Sequence, residues 1–225
     1  MTYFAQYQSP LGTITLACDG EAITGLWFNG QKYFGSSLPK QAEPFSHPLL
    51  ADARRWLDVY FSGREPDFLP PLRYDTTPFR KQVCDIMQTI PYGKTMTYRE
   101  IAAELAARQG VSRMSAQAVG GAVGHNPISI MIPCHRVVGT NGSLTGYAGG
   151  INRKIRLLEL EHTDMSRFLC QRAERRFESA ACPGYGAGEI PSGRENFFRS
   201  VRHPSALFSI RIASGLHAGT FHSSR

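Results

Sequence analysis

Residues 64–77, REPDFLPPLRYDTT, carry three prolines in fourteen positions. A proline has no backbone donor and a fixed φ near −65°, so this stretch can be neither a helix interior nor a central strand. It divides the chain into two parts of different periodicity and reads as a connector between two domains. Before it, the β-like runs YFAQYQ, TITLAC and ITGLWF are separated by the turn signals SPLG and DGEA, which predicts an antiparallel meander. SHPLLADARRWLDVYFSG (46–63) then places Leu49, Leu50, Ala53, Trp56, Leu57 and Tyr60 on one helix face, with Gly63 as a stop. Residues 1–75 are therefore expected to form a small sheet domain with one helix.

Beyond the connector the period is helical. TPFRKQVCDIMQTI aligns Phe79, Val83, Ile86, Met87 and Ile90. PYGKTM is a turn, and TYREIAAELAARQ opens on Thr97-x-x-Glu100, the form of a capping box. After GVSRM, SAQAVGGAVG (115–124) has Ser115 as an N-cap and ends before Asn126-Pro127. Two short helices and a tight loop fit a helix-turn-helix, and a generic helical hairpin fits the same pattern. Gly120, Gly121 and Gly124 in the second helix each cost about 0.5–1 kcal/mol relative to alanine. That cost points to close backbone approach by another helix or by a DNA groove. Lys94, Arg99, Arg108 and Arg113 against Glu100 and Glu104 leave this region positive enough for phosphate contacts.

The net charge of +7 favours a polyanionic partner, although a basic protein with no nucleic-acid role has the same balance. No apolar run approaches the roughly 20 residues that span a bilayer. MTYFAQYQSP lacks the basic-then-apolar form of a signal peptide, so a cytoplasmic location is expected. The five cysteines, Cys18, Cys84, Cys134, Cys170 and Cys182, include no C-x-x-C pair and no zinc spacing, and the odd count suits free thiols. Cys18 and Cys84 lie in apolar-patterned segments and read as small buried hydrophobes.

NPISIMIPCHRVVGTNGSLTGYAGG (126–150) sets Cys134 between a proline and a histidine. A thiol reacts as its thiolate and needs help to ionise. His135 is the obvious helper. Neighbours in an extended segment point to opposite sides, so contact would require a bridging water or a turn. Glu159 and Glu161, in RKIRLLELE, are the downstream carboxylates available to orient the histidine.

IPCHRVV, with NP before it and GYAGG after it, resembles the O6-alkylguanine-DNA alkyltransferases, strongly over residues 76–162 and more loosely over 1–75. The resemblance implies an α+β protein: an N-terminal ribonuclease-H-like sheet domain (1–75) and a mostly helical, winged-helix-like alkyltransferase domain with a helix-turn-helix (76–165). It implies a monomer that binds double-stranded DNA, flips out an alkylated guanine and moves the alkyl group once and irreversibly to a cysteine, without cofactor or metal; O4-alkylthymine is a further possible substrate. Cys18 and His47 do not reproduce the zinc set of some relatives.

Carried over by residue, the resemblance makes Cys134 the acceptor, His135 the base acting through water, and Glu161 the acid that orients it, with Glu159 as a solvated alternative. Asn126 tethers the active-site loop. Tyr98 meets the 3′ phosphate and the guanine ring, or else packs on the core. Tyr147 stacks on the flipped base, Ala148 and Val137 line its pocket, and Arg136 is structural. Arg113, Gly120 and Gly121 fall on the DNA side. Gln117 stands where many relatives have an arginine that fills the gap left by the flipped base. Ala148 stands where some have serine.

The pattern ends near Glu161–His162. Residues 163–225 hold nine arginines and no lysine; the stretch from 166 onward is expected to be a disordered tail, with an arginine-rich DNA anchor and translation outside the usual reading frame as the other readings. Other readings of the whole chain are a non-catalytic lesion-binding relative, which would lack the acceptor cysteine, a cysteine hydrolase, and a helix-turn-helix transcription factor.

Overall fold

The computed structural model describes residues 2–36, 38, 43–44, 47–144 and 146–168. The expected tail therefore lies outside the described residues beyond Phe168, and so do Cys170 and Cys182. The meander forms as β1 (Tyr3–Ser9), β2 (Gly12–Cys18) and β3 (Ile23–Phe28), antiparallel in sequence order. A two-residue β4 (Glu43–Pro44) pairs parallel to β1 and completes the sheet order β3-β2-β1-β4. Helix α1 (Pro48–Phe61) starts on His47, whose ring accepts from the Leu49 amide, and buries Leu50, Ala53, Trp56, Leu57 and Tyr60 toward the sheet. Gly63 follows at φ +80, outside the helix.

The proline-rich stretch is more than a tether. The Ile23 amide donates to Pro71 O at 2.7 Å and the Arg73 amide to Ile23 O at 2.9 Å, so the connector runs along the outer edge of β3. Arg73 also reaches Asp19 and Glu21 in the preceding turn.

Helix α2 (Pro78–Gln88) is capped by Thr77. Strand β5 (Met96–Thr97) leads into α3 (Tyr98–Gln109), where Thr97 and Glu100 form the reciprocal capping box and Gly110 ends the helix in the left-handed region. Helix α4 (Ala116–Gly124) is capped by Ser115. A 3₁₀ turn (Cys134–Arg136) precedes β6 (Val137–Val138), which pairs parallel to β5, and α5 (Ile151–Leu160) closes the fold. One hydrophobic cluster runs from Ile14, Leu16 and Leu26 through Leu57 and Tyr60 to Ile86, Ile101, Val119, Ile132 and Leu157. The two halves of the sequence therefore bury their apolar faces against each other. Among the described residues no helix is long and apolar enough to cross a membrane.

Candidate active site

Asn126 organises the loop that leads to the cysteine. Its Oδ1 accepts from the Ile128 amide at 3.0 Å. Its two N–H bonds are shared among Ile132 O at 2.8 Å, Ile128 O at 3.3 Å and Cys134 Sγ at 3.1 Å. An amide donor on sulfur favours the charged form of the thiol. The N-terminal half holds the same loop from outside, through Leu26 N to Pro127 O, Ser129 N to Leu26 O, and Ser129 Oγ to the Gln31 side chain.

Cys134 is almost fully buried and opens the 3₁₀ turn. Of the arrangements left open by the sequence, the backbone adopts a turn here, with Pro133 at ψ 63° folding the chain over. Burial pushes the thiol above its usual range, while Asn126 and Lys154 pull it partly back. The resting thiol is protonated and needs a base.

His135 is completely buried, and its Nε2 lies 2.6 Å from Glu161 Oε1. Burial would raise the Glu161 carboxyl, but the His135 ring and the Arg136 guanidinium outweigh it and hold the group ionised. Arg136 grips both carboxylate oxygens, at 2.8 and 3.0 Å, and the Gly93 amide reaches Oε2 at 3.3 Å. A carboxylate only accepts, so Nε2 is the protonated nitrogen and Nδ1 has a free lone pair. Among the described residues Nδ1 has no protein partner. Burial lowers the ring's proton affinity despite Glu161, so the ring rests neutral. Glu159 points to solvent and pairs with Arg156.

Tyr147 and Ala148 lie in the loop before α5. Tyr147 is buried, and its hydroxyl has no partner among the described residues. Ala148 O accepts from the Lys32 amide at 3.1 Å, and Arg153 joins Gly149 O to Leu11 O across the two halves. Gly146 sits at φ +84, where an added Cβ would lie 2.7 Å from the Tyr98 hydroxyl, so Tyr98 and this loop touch. Val137 is placed in the core on β6, its carbonyl accepting from Lys154 Nζ.

Gln117 and Arg113 are exposed, at the start of α4 and in the loop before it, and both line the groove between α3 and α4. Gly120 faces the Tyr98 ring, whereas a Cβ at Gly121 would meet open space. No neighbour among the described residues demands glycine at 121.

Sequence reasoning missed Tyr60, Lys154, Arg153 and Gln31. Lys154 is wholly buried, and burial lowers its pKa to about 8 against the pull of Cys134. Among the described residues no group of three or more His, Cys, Asp or Glu side chains could hold a metal ion.

Fold and site together set one of the three buried cysteines among the described residues, Cys134, beside a histidine–carboxylate pair and behind a helix-turn-helix. The model of the 6-O-methylguanine DNA methyltransferase DNA-binding domain matches residues 78–163, and that of the ribonuclease-like domain of the same proteins matches residues 2–74. The methylated-DNA–protein-cysteine methyltransferase of Mycobacterium tuberculosis H37Rv is 42% identical over 161 residues, 72% of this chain and 93% of its own length. The Haemophilus influenzae protein of that name is 38% identical over 71% of this chain and 86% of its own. The M. tuberculosis protein crystallised in complex with DNA aligns with TM-score 0.60 at 40% identity, over 74% of this chain and 94% of that one. The chain belongs to the 6-O-methylguanine DNA methyltransferase family.

Proposed function

We propose that this protein repairs DNA by direct reversal, moving a methyl or other alkyl group from the O6 of guanine in duplex DNA to Cys134. Family membership gives the reaction. The single observation that carries the assignment to this residue is the buried Cys134 thiol beside Asn126, in the turn whose next residue is a neutral histidine fixed by Glu161. The thiol proton passes through a water to His135 Nδ1. The sulfur attacks the alkyl carbon, a carbon–sulfur bond forms, and the carbon–oxygen bond breaks with its electron pair on the guanine. The charged Lys154 stabilises the thiolate. The thioether formed is chemically inert, so each molecule acts once.

The exposed edge of α4 is the DNA side, with Gln117, Arg113, Gly120 and Gly121 toward the groove. Tyr98 stands at the mouth of a pocket formed by Tyr147, Ala148 and the backbone near Val137. Residues 1–75 and 76–165 serve as scaffold and reactive domain of a monomer acting in the cytoplasm. The presence of Cys134 argues against the non-catalytic lesion-binding reading.

The test is an intact mass after incubation with an oligonucleotide carrying one O6-methylguanine. One methyl per protein on the Cys134 peptide, absent in Cys134→Ala, is expected; turnover beyond one equivalent excludes the reading. At Gln117, an amide can hydrogen-bond an orphaned cytosine but brings no charge. Gln117→Arg is expected to raise the transfer rate on duplex several-fold at low salt; a rate unchanged or lower would remove Gln117 from the gap-filling role.

A further inference from the structure

Tyr60 belongs to the half of the chain that does not carry the acceptor, yet its hydroxyl ends inside the reactive network. It donates to Glu161 Oε1 at 2.7 Å and lies 3.3 Å from His135 Nε2. The ring is completely buried and held on several sides. It stacks on Trp56 at 5.3 Å, meets Phe61 and Tyr92 edge-on, and stands at 74° to the His135 ring. Nothing in the proposed transfer uses it, and a phenylalanine would serve the core as well.

Oε1 of Glu161 therefore receives three donors: His135 Nε2–H at 2.6 Å, the Tyr60 hydroxyl at 2.7 Å and Arg136 Nη2 at 3.0 Å. Each donor besides the histidine spreads the carboxylate's charge and weakens its pull on the Nε2 proton. The pull on Nε2 sets the basicity of Nδ1 on the same ring. Arg136 and Gly93 already fix where the carboxylate lies, so the tyrosine's separate effect is electronic.

We propose that Tyr60 is a positioning residue for alkyl transfer: by donating to Glu161 it limits the carboxylate's hold on His135 and keeps the ring neutral and able to take the thiol proton. This rests on the proposed transfer to Cys134. The charged and titratable groups that face the ring are Glu161 and Lys154 from α5 and its cap, Cys134 and Arg136 from its own turn, and Tyr60 from α1. Glu161 favours the charged ring; Arg136, Lys154 and burial oppose it. Removing the Tyr60 hydroxyl strengthens the one group that favours protonation, so the ring's titration moves up.

The experiment uses the full chain and its Tyr60→Phe variant. The transfer rate from an O6-methylguanine oligonucleotide is followed across pH, and the His135 ring is titrated by NMR with labelled histidine. The acid limb of the rate profile and the ring titration are both expected to move to higher pH, by roughly 0.5–1 unit. Superimposable limbs and titrations would overturn the proposal, whatever the plateau rate, because a packing defect lowers the plateau without moving the limb. If Tyr60→Phe does not fold, 3-fluorotyrosine at position 60, a stronger donor of nearly the same shape, is expected to move both to lower pH; no movement again overturns it. The ring titration needs no alkyl transfer, so a protein that fails to accept methyl defeats the functional reading while Tyr60 is still tested.

Discussion

Glu161→Gln is expected to lower unfolding free energy by about 3–5 kcal/mol and to slow alkyl transfer by roughly 100-fold or more. The stability loss comes from what remains. The Arg136 side chain is only 12% exposed and has its carboxylate partner at 2.8 Å; an amide leaves that guanidinium buried and unneutralised. The rate loss comes from the tautomer. A glutamine can offer either oxygen or N–H to Nε2, so the proton is no longer held away from Nδ1, and the base facing the thiol is lost for part of the population. Wild-type stability also falls toward acid in two stages. His135 binds its proton less readily folded than unfolded, so stability drops as pH falls below the ordinary 6.5. Glu161 holds its charge more tightly folded, so its contribution is complete above the ordinary 4.5 and is lost progressively below it. Denaturant unfolding from pH 8 down to 3 should show both stages in the wild type and a much reduced lower one in Glu161→Gln, where only carboxylates such as Asp19 and Glu100 still hold their charge more tightly folded. A variant that keeps the lower stage undiminished would show that those carboxylates cause it.

The parts of the fold that were legible are those governed by local rules. The three-strand meander follows from alternation and turn residues, and α1 to α4 follow from apolar spacing and caps such as Thr97 with Glu100. β4 was illegible, because two residues ending in proline carry no strand signal and pair only where the sheet edge meets them. The same holds for the pairing of β5 with β6, Met96 with Val137 and Thr97 with Val138, which depends on tertiary placement. At the site, the motif made Cys134, His135, Glu161 and Asn126 candidates, and the structure brings these four together. Tyr60 was hidden because it shares the helical spacing of Trp56 and Leu57, and a buried aromatic in that register reads as core. Its hydroxyl matters only because α1 packs against the C-terminal half. Lys154 was hidden for the opposite reason. Between Arg153 and Arg156, a lysine reads as one more solvated charge, and sequence does not reveal that its side chain turns inward under β6.

Lys154→Met should separate stability from function in opposite directions. The ammonium is wholly buried and its pKa falls from 10.5 to about 8, mainly through burial. A shift of that size corresponds to roughly 3 kcal/mol against the folded state at neutral pH, partly offset by the hydrogen bond to Val137 O. Methionine keeps the unbranched stem without the charge, so a gain of about 1–3 kcal/mol is expected at pH 7. The sign has a pH signature. Below about 8 the lysine is charged in both states and the penalty is complete; above it the folded state releases its proton first, and the penalty fades toward 10.5. The stability advantage of the variant should therefore shrink as pH rises from 8. Transfer should move the other way. The same charge lowers the proton affinity of Cys134, so its loss is expected to slow methyl transfer at pH 7 by roughly 10- to 100-fold. That deficit should narrow above pH 8, where wild-type Lys154 itself becomes neutral. A Lys154→Met protein more stable than wild type yet equally fast at pH 7 would mean that Asn126 and the backbone amides of the turn stabilise the thiolate without the lysine's charge.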